Sequence, residues 1–61
     1  AQVIILHNHP SGDPEPSDAD IKVTGVIKDA LELIGIRLTD HIIIGDNRYV
    51  SLATSGVIER I

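Results

Sequence analysis

Val3-Ile4-Ile5-Leu6 is a continuous, mostly β-branched apolar run bounded by polar residues. That pattern belongs to a strand buried on both faces, as in parallel or mixed α/β sheets. The stretch from Pro10 to Pro16 then holds all three prolines together with Gly12 and Asp13. Fixed proline φ angles and missing N–H donors make it a loop of restricted conformation. Ser17 or Asp18 can cap a helix, with Pro16 just before and acidic residues in the first turn, where the helix dipole favours them. Apolar Val23, Ile27, Ala30 and Ile34, flanked by Val26, Leu31 and Leu33, follow helical spacing up to Gly35, a natural stop. The spacing predicts a helix over about residues 18–34, with Val23, Ile27, Ala30 and Ile34 facing the core. Gly25 interrupts it at a cost of about 1 kcal/mol relative to Ala and leaves room for close packing. Further on, His41-Ile42-Ile43-Ile44 reads as a second strand, Gly45-Asp46-Asn47 as a turn, and Arg48-Tyr49-Val50-Ser51-Leu52 as a third strand with alternation. The tail from Ala53 to Ile61 reads as a weak helix or a loop, and the pattern does not choose between them. Strand, helix, strand, strand is the expected order, an α/β arrangement. A strand pattern of the Val3 to Leu6 type calls for neighbours on both sides. The chain is therefore expected to be a fragment preceded by further strands and a helix.

Sixty-one residues make one small domain at most, and at this size the buried fraction of surface leaves independent folding marginal. No cysteine is present, which excludes disulfides and thiolate metal sites and makes the cytoplasm the default location. A net charge of −4 with five scattered basic residues, and Tyr49 as the lone aromatic residue, argue against direct nucleic-acid binding. Phosphate tracking needs clustered Lys and Arg, and base stacking needs aromatic platforms. Apolar runs such as Val3 to Leu6 and Ile42 to Ile44 are far shorter than the roughly 20 residues of a membrane span. No basic segment precedes the first of them, so no secretory signal is read.

Chemistry concentrates between residues 7 and 20. Positions i and i+2 of a strand share a face, so His7 and His9 set two imidazoles side by side if β structure continues to the loop. Asp20 falls in the first turn of the helix, and a strand-loop-helix unit can fold back to bring its carboxylate to both rings. His, His and carboxylate with a fourth position left to water is the donor set of a catalytic zinc ion, whose bound water has a pKa near about 7. Ser17 sits three residues before Asp20, about one helical turn away, where a hydroxyl can donate to a developing oxyanion. Each part has a plainer reading. Ser17-x-x-Asp20 is also close to a helix capping box, and His-x-His is common at solvated strand ends. His41 reads as a hydrogen-bonded structural histidine rather than a fourth ligand, and Asp13 and Glu15 as solvated loop charges. The joint register, His7-x-His9, seven residues, Ser17-x-x-Asp20, rarely arises by chance.

This register resembles the JAMM motif of JAB/MPN-type zinc hydrolases. The string His7-Asn8-His9-Pro10-Ser11-Gly12-Asp13-Pro14 is similar to the corresponding loop of RadC proteins. Leu33-Ile34-Gly35-Ile36 and the segment from Asp40 to Leu52 also resemble RadC, so nearly the whole chain is covered, as the C-terminal part of one JAB/MPN domain. The resemblance implies a mixed sheet with flanking helices, similar to cytidine deaminases. It makes His7, His9 and Asp20 zinc (Zn2+) ligands, and Ser17 the catalytic residue that stabilises the tetrahedral intermediate. JAMM hydrolases also use a glutamate on an upstream strand as general acid and base. Nothing in the six residues before His7 matches it, and Glu15, inside the loop, does not replace it on motif grounds.

RadC proteins are described as DNA repair proteins, whereas their site looks like that of metal-dependent peptidases. A water-activating metal, an oxyanion donor and a general base form a set for amide hydrolysis, so the expected substrate is a peptide or isopeptide bond. A non-catalytic MPN-like scaffold acting in a DNA-repair context is the alternative. A nuclease reading of the letters His7-Asn8-His9 fails, because the HNH residues are spread over a unit of some 30 residues rather than adjacent. Made alone, these residues are expected to be inert, and poorly folded or self-associated, since an uncovered strand edge recruits partners.

Overall fold

The first apolar run lies inside strand β1 (Gln2–Asn8) of a computed structural model that describes residues 1–61. It is followed by α1 (Asp18–Leu33), β2 (Arg37–Ile44), β3 (Tyr49–Ser51) and α2 (Val57–Arg60). The sheet order is β1-β2-β3, with β1 parallel to β2 and β2 antiparallel to β3. A parallel pair needs a crossover, and the proline loop with α1 supplies it. The chain is thus a small α/β unit with a mixed three-stranded sheet and two helices.

Helix α1 begins and ends where capping chemistry places it. Ser17 is the N-cap in extended conformation, and Gly35 follows the C-cap residue Ile34 at φ +74°. Its orientation differs from expectation. Val23 is 54% exposed and Ile34 70% and Ala30 is also exposed, whereas Ile27 is half-buried as expected and is joined on the inward side by Ile21, Thr24, Lys28 and Leu31. Polar ties set this rotation. Thr24 Oγ1 meets His41 Nδ1 of β2 at 2.6 Å, and Lys28 Nζ donates to the carbonyls of Ile58 and Ile61 at 3.0 and 2.6 Å. Gly25 is not needed for close packing, because an added Cβ meets only Ile61 at 3.9 Å.

Strand β1 is not buried on both faces. Its residues alternate between exposed and half-buried, with Ile4 56% and Leu6 67% exposed. One face lies on the side of α1, one edge pairs with β2, and the other face and edge carry no element. Strand β2 starts earlier than predicted, and its register with β1 shifts between Val3 and Ile4, which pair with Leu38 and Asp40. The extra residue, Thr39, makes a β-bulge, and it lets Leu38 and His41 both turn inward although they are an odd number of positions apart. Both are 3% exposed.

The core is Ile43, Leu52, Val57 and Ile58, with Ile21, Val50 and Ala53 packed against it. Two of these four lie in α2, inside the tail whose pattern left helix and loop both open. Four residues are too few for a 3.6-residue period to emerge. Asp40 ties that tail to the sheet. Its carboxylate accepts from the Ser51 hydroxyl at 2.6 Å and from the backbone N–H groups of His41 and Ala53 at 2.7 and 3.0 Å. Burial pushes the Asp40 carboxyl up, and these three bonds together outweigh it, leaving the group below its ordinary range.

Candidate metal centre

His7 occupies an inward position of β1, paired with Ile43. His9 lies just past the strand end, yet its N–H donates to the Ile44 carbonyl at 2.9 Å. This continues the ladder by one step and puts His9 on the same side as His7. The ring centroids are 4.7 Å apart, edge to face.

The loop that follows turns at once and docks on the β2–β3 turn. Gly12 N–H donates to the His9 carbonyl at 3.0 Å, and the Gly12 carbonyl accepts from Asp46 N–H at 2.9 Å. Gly12 sits at φ +85°, a region costly for residues with a Cβ. Gly45 leaves no room for a side chain, since a Cβ there would lie 2.2 Å from the Gly12 carbonyl oxygen. Held this way, the loop directs the Asp13 carbonyl to His9 Nδ1 at 2.9 Å.

Ser17 and Asp20 form a reciprocal capping box. Ser17 Oγ accepts from Asp20 N–H at 3.1 Å, and Asp20 Oδ2 accepts from Ser17 N–H at 2.9 Å. The plainer reading of this pair is therefore correct, and it also serves the cluster, because the box holds the Asp20 carboxylate toward the histidines. Asp20 Oδ2 is 2.9 Å from His9 Nε2, and Oδ1 is 3.8 Å from His7 Nδ1. The Ser17 N–H bond is the main reason the Asp20 carboxyl lies below its ordinary range. Burial opposes the shift, while the Ser17 side chain, His9 and His7 reinforce it.

One nitrogen or oxygen from each of His7, His9 and Asp20 lies within 4.8 Å of the others. The two Asp20 oxygens lie 2.9 Å (Oδ2 to His9) and 3.8 Å (Oδ1 to His7) from the imidazole nitrogens, either side of the about 3.3 Å that separates ligands bound tetrahedrally at zinc distances. The hydrogen bonding of His9 supports the fit. Its Nδ1 faces a carbonyl, which can only accept, so the proton sits on Nδ1. The Nε2 lone pair then points at a carboxylate, and two acceptors at 2.9 Å require a proton or a metal cation between them. A backbone carbonyl on the distal nitrogen is the usual support of a ligating histidine. Glu15 takes no part. Its N–H bonds to Asp13 Oδ1 at 3.0 Å and its side chain is outside the cluster.

His41 is 3% exposed and is no fourth member of the cluster. It bonds Thr24, as a structural histidine should, and its ring stacks on that of His7 with centroids 5.7 Å apart and planes at 30°. Its Nε2 is buried without a partner. Burial and the neighbouring His7 lower its affinity for a proton, against the opposing pull of Asp20 and Asp40, with His9 adding to the lowering. Sequence reasoning passed over Thr24. The available sign was a hydroxyl residue in an otherwise apolar stretch, Val23 to Ile27. The largest concavity, lined by residues including Ile42, Ile44 and Tyr49, belongs to the opposite face of the sheet.

Together these features define an α/β unit that mounts a His-His-carboxylate cluster on a strand, a rigid loop and a helix cap. Residues 1–57 match the family model described as "RadC-like JAB domain", and the chain belongs to that family. It is 61% identical to a UPF0758 protein of Xanthomonas oryzae over 59 residues, 97% of this chain and 26% of the relative. It is 55% identical to a UPF0758 protein of Desulfitobacterium hafniense over 56 residues, 92% of this chain and 25% of that one. A Clostridium botulinum UPF0758 protein is 59% identical over 58 residues. The chain spans about a quarter of the length of these curated relatives. No helix is long and apolar enough to cross a membrane.

Proposed function

We propose that this chain contributes the metal-binding half of a zinc-dependent hydrolase site of JAMM type, acting on peptide or isopeptide bonds. The observation that carries the reading is the convergence of His7, His9 and Asp20 within 4.8 Å, with His9 Nδ1 already held by the Asp13 carbonyl. His7, His9 and Asp20 would hold the metal, with the fourth position open. Zinc, when bound, supplies a Lewis acid and a water acidified to a pKa of about 7. The chain's own groups do the rest of the positioning. The capping box keeps the carboxylate ionised and aimed, and the loop fixes the His9 tautomer. Ser17 Oγ uses its lone pair on Asp20 N–H, which leaves its single proton free to donate to an oxyanion formed at a substrate carbonyl. The general-base role belongs to none of these residues, and the resemblance assigns it to a glutamate on an upstream strand.

The test is hydrolysis of peptide and isopeptide-linked substrates by the longest natural chain containing these residues, with and without chelator. Turnover that is restored by zinc and abolished in Asp20→Ala is the expected result. Turnover indifferent to both, or none on either substrate class with zinc bound, would overturn the assignment.

A further inference from the structure

The Thr24 hydroxyl makes two short contacts, with the Asp20 carbonyl at 2.7 Å and with His41 Nδ1 at 2.6 Å. It has one proton to give. A carbonyl only accepts, so the proton goes to Asp20, and Thr24 Oγ1 must in turn accept from His41 Nδ1–H. His41 is therefore the Nδ1–H tautomer, with a bare Nε2 that is buried and finds no donor. Such a nitrogen is costly to bury, and an apolar ring would fill the same space without that cost. The retained feature is the Nδ1–H bond, which sets the plane of the His41 ring. That ring stacks on His7, and the relay ends on the backbone of Asp20. Two members of the cluster, on different elements, are thus joined through two residues that are not ligands. The bulge at Thr39 that turns His41 inward is the kind of irregularity that re-aims a side chain beside a site.

We propose that Thr24 and His41 are positioning residues of the metal centre, the stacked His41 ring fixing the orientation of His7 and the Thr24 hydroxyl linking it to the helix turn that carries Asp20. The inference rests on the metal-centre reading above, and it is tested by metal binding rather than by turnover. Thr24→Val, Thr24→Ser and His41→Phe, made in the longest natural chain containing these residues, would be titrated with cobalt(II) and, in competition, zinc. Folding would be checked by circular dichroism. Thr24→Val and His41→Phe should weaken binding about 10- to 100-fold and shift the visible cobalt bands, and Thr24→Ser should restore both. Folded Thr24→Val and His41→Phe with wild-type affinity and spectrum would overturn the inference while leaving the metal centre intact. Wild-type protein whose cobalt binding does not depend on His7, His9 and Asp20 would instead overturn the metal centre, and this inference with it. Should a variant fail to fold, nitrogen NMR of the wild-type imidazoles decides. The Nδ1–H tautomer of His41 is expected, and an Nε2–H tautomer would refute the relay.

Discussion

Gly45→Ala adds one methyl group and should damage the cluster from a distance. Gly45 is not among the residues at positive φ, so its backbone suits alanine, and the entire effect comes from collision. The new Cβ would stand 2.2 Å from the Gly12 carbonyl oxygen and 2.9 Å from Pro14 Cδ. Relieving the first contact to ordinary van der Waals separation requires the loop to retreat by roughly 1 Å. The retreat breaks the Asp46 N–H bond to the Gly12 carbonyl, now 2.9 Å, and shifts the adjacent Asp13 carbonyl that holds His9. Overpacking of this kind costs about 1–3 kcal/mol and the lost hydrogen bond about 1 more, for a total of about 2–4 kcal/mol. Set against the roughly 5–15 kcal/mol that stabilises a whole domain, the loss is large in the longest natural chain containing these residues. Urea denaturation followed by circular dichroism measures it, and a competitive zinc titration should show affinity down about tenfold or more. Stability within about 0.5 kcal/mol of wild type together with unchanged zinc affinity would refute the argued docking of loop on turn.

Asp20→Asn separates the two duties of that residue. The amide oxygen can still accept from Ser17 N–H, so stability should fall by less than about 1 kcal/mol, while zinc affinity collapses with the loss of the anionic ligand. Equal loss of both, measured by melting and metal titration, would contradict the separation. Asp40 makes stability sensitive to acid. Its folded-state carboxyl titrates below the ordinary value of 3.8, so its contribution is present above that value and is lost as pH falls through the lower folded one. Asp40→Asn should therefore be less stable than wild type at neutral pH, with the gap narrowing below about pH 4. A gap that is constant from pH 7 to pH 3 would count against the argument. The 61 residues made alone should be catalytically inert and associate through the open β1 edge and the exposed Ile4 and Leu6. A monomer in sedimentation, with turnover, would contradict both expectations.

Local chemistry is what the amino-acid sequence displays most clearly here. Capping at Ser17, the stop at Gly35, the loop prolines and the turn at Gly45 to Asn47 are each set by a few neighbouring residues, and the elements they bound fall close to their predicted limits except at the start of β2, which lies four residues earlier, at Arg37. The His-x-His and Ser-x-x-Asp spacings are legible for the same reason, since a strand and a helix cap translate spacing directly into direction. Burial is a property of what lies across from an element, and here local pattern fails. Helix α1 is turned by Thr24 and Lys28, whose partners His41, Ile58 and Ile61 are many positions away. Val23, Ala30 and Ile34, which fall on the apolar stripe, face outward. The bulge at Thr39 and the short α2 carry no periodic trace, so neither the inward turn of His41 nor the burial of Val57 and Ile58 could be read ahead of the fold.

The most direct test of the metal centre is to load the longest natural chain containing these residues with zinc and measure stoichiometry together with X-ray absorption at the zinc edge. One zinc per chain is predicted, bound by two imidazoles and a carboxylate oxygen at about 2.0–2.2 Å, with binding lost when His9 or Asp20 is replaced by Ala. Absence of stoichiometric zinc, or a zinc signal unchanged by either replacement, would contradict the account at its centre.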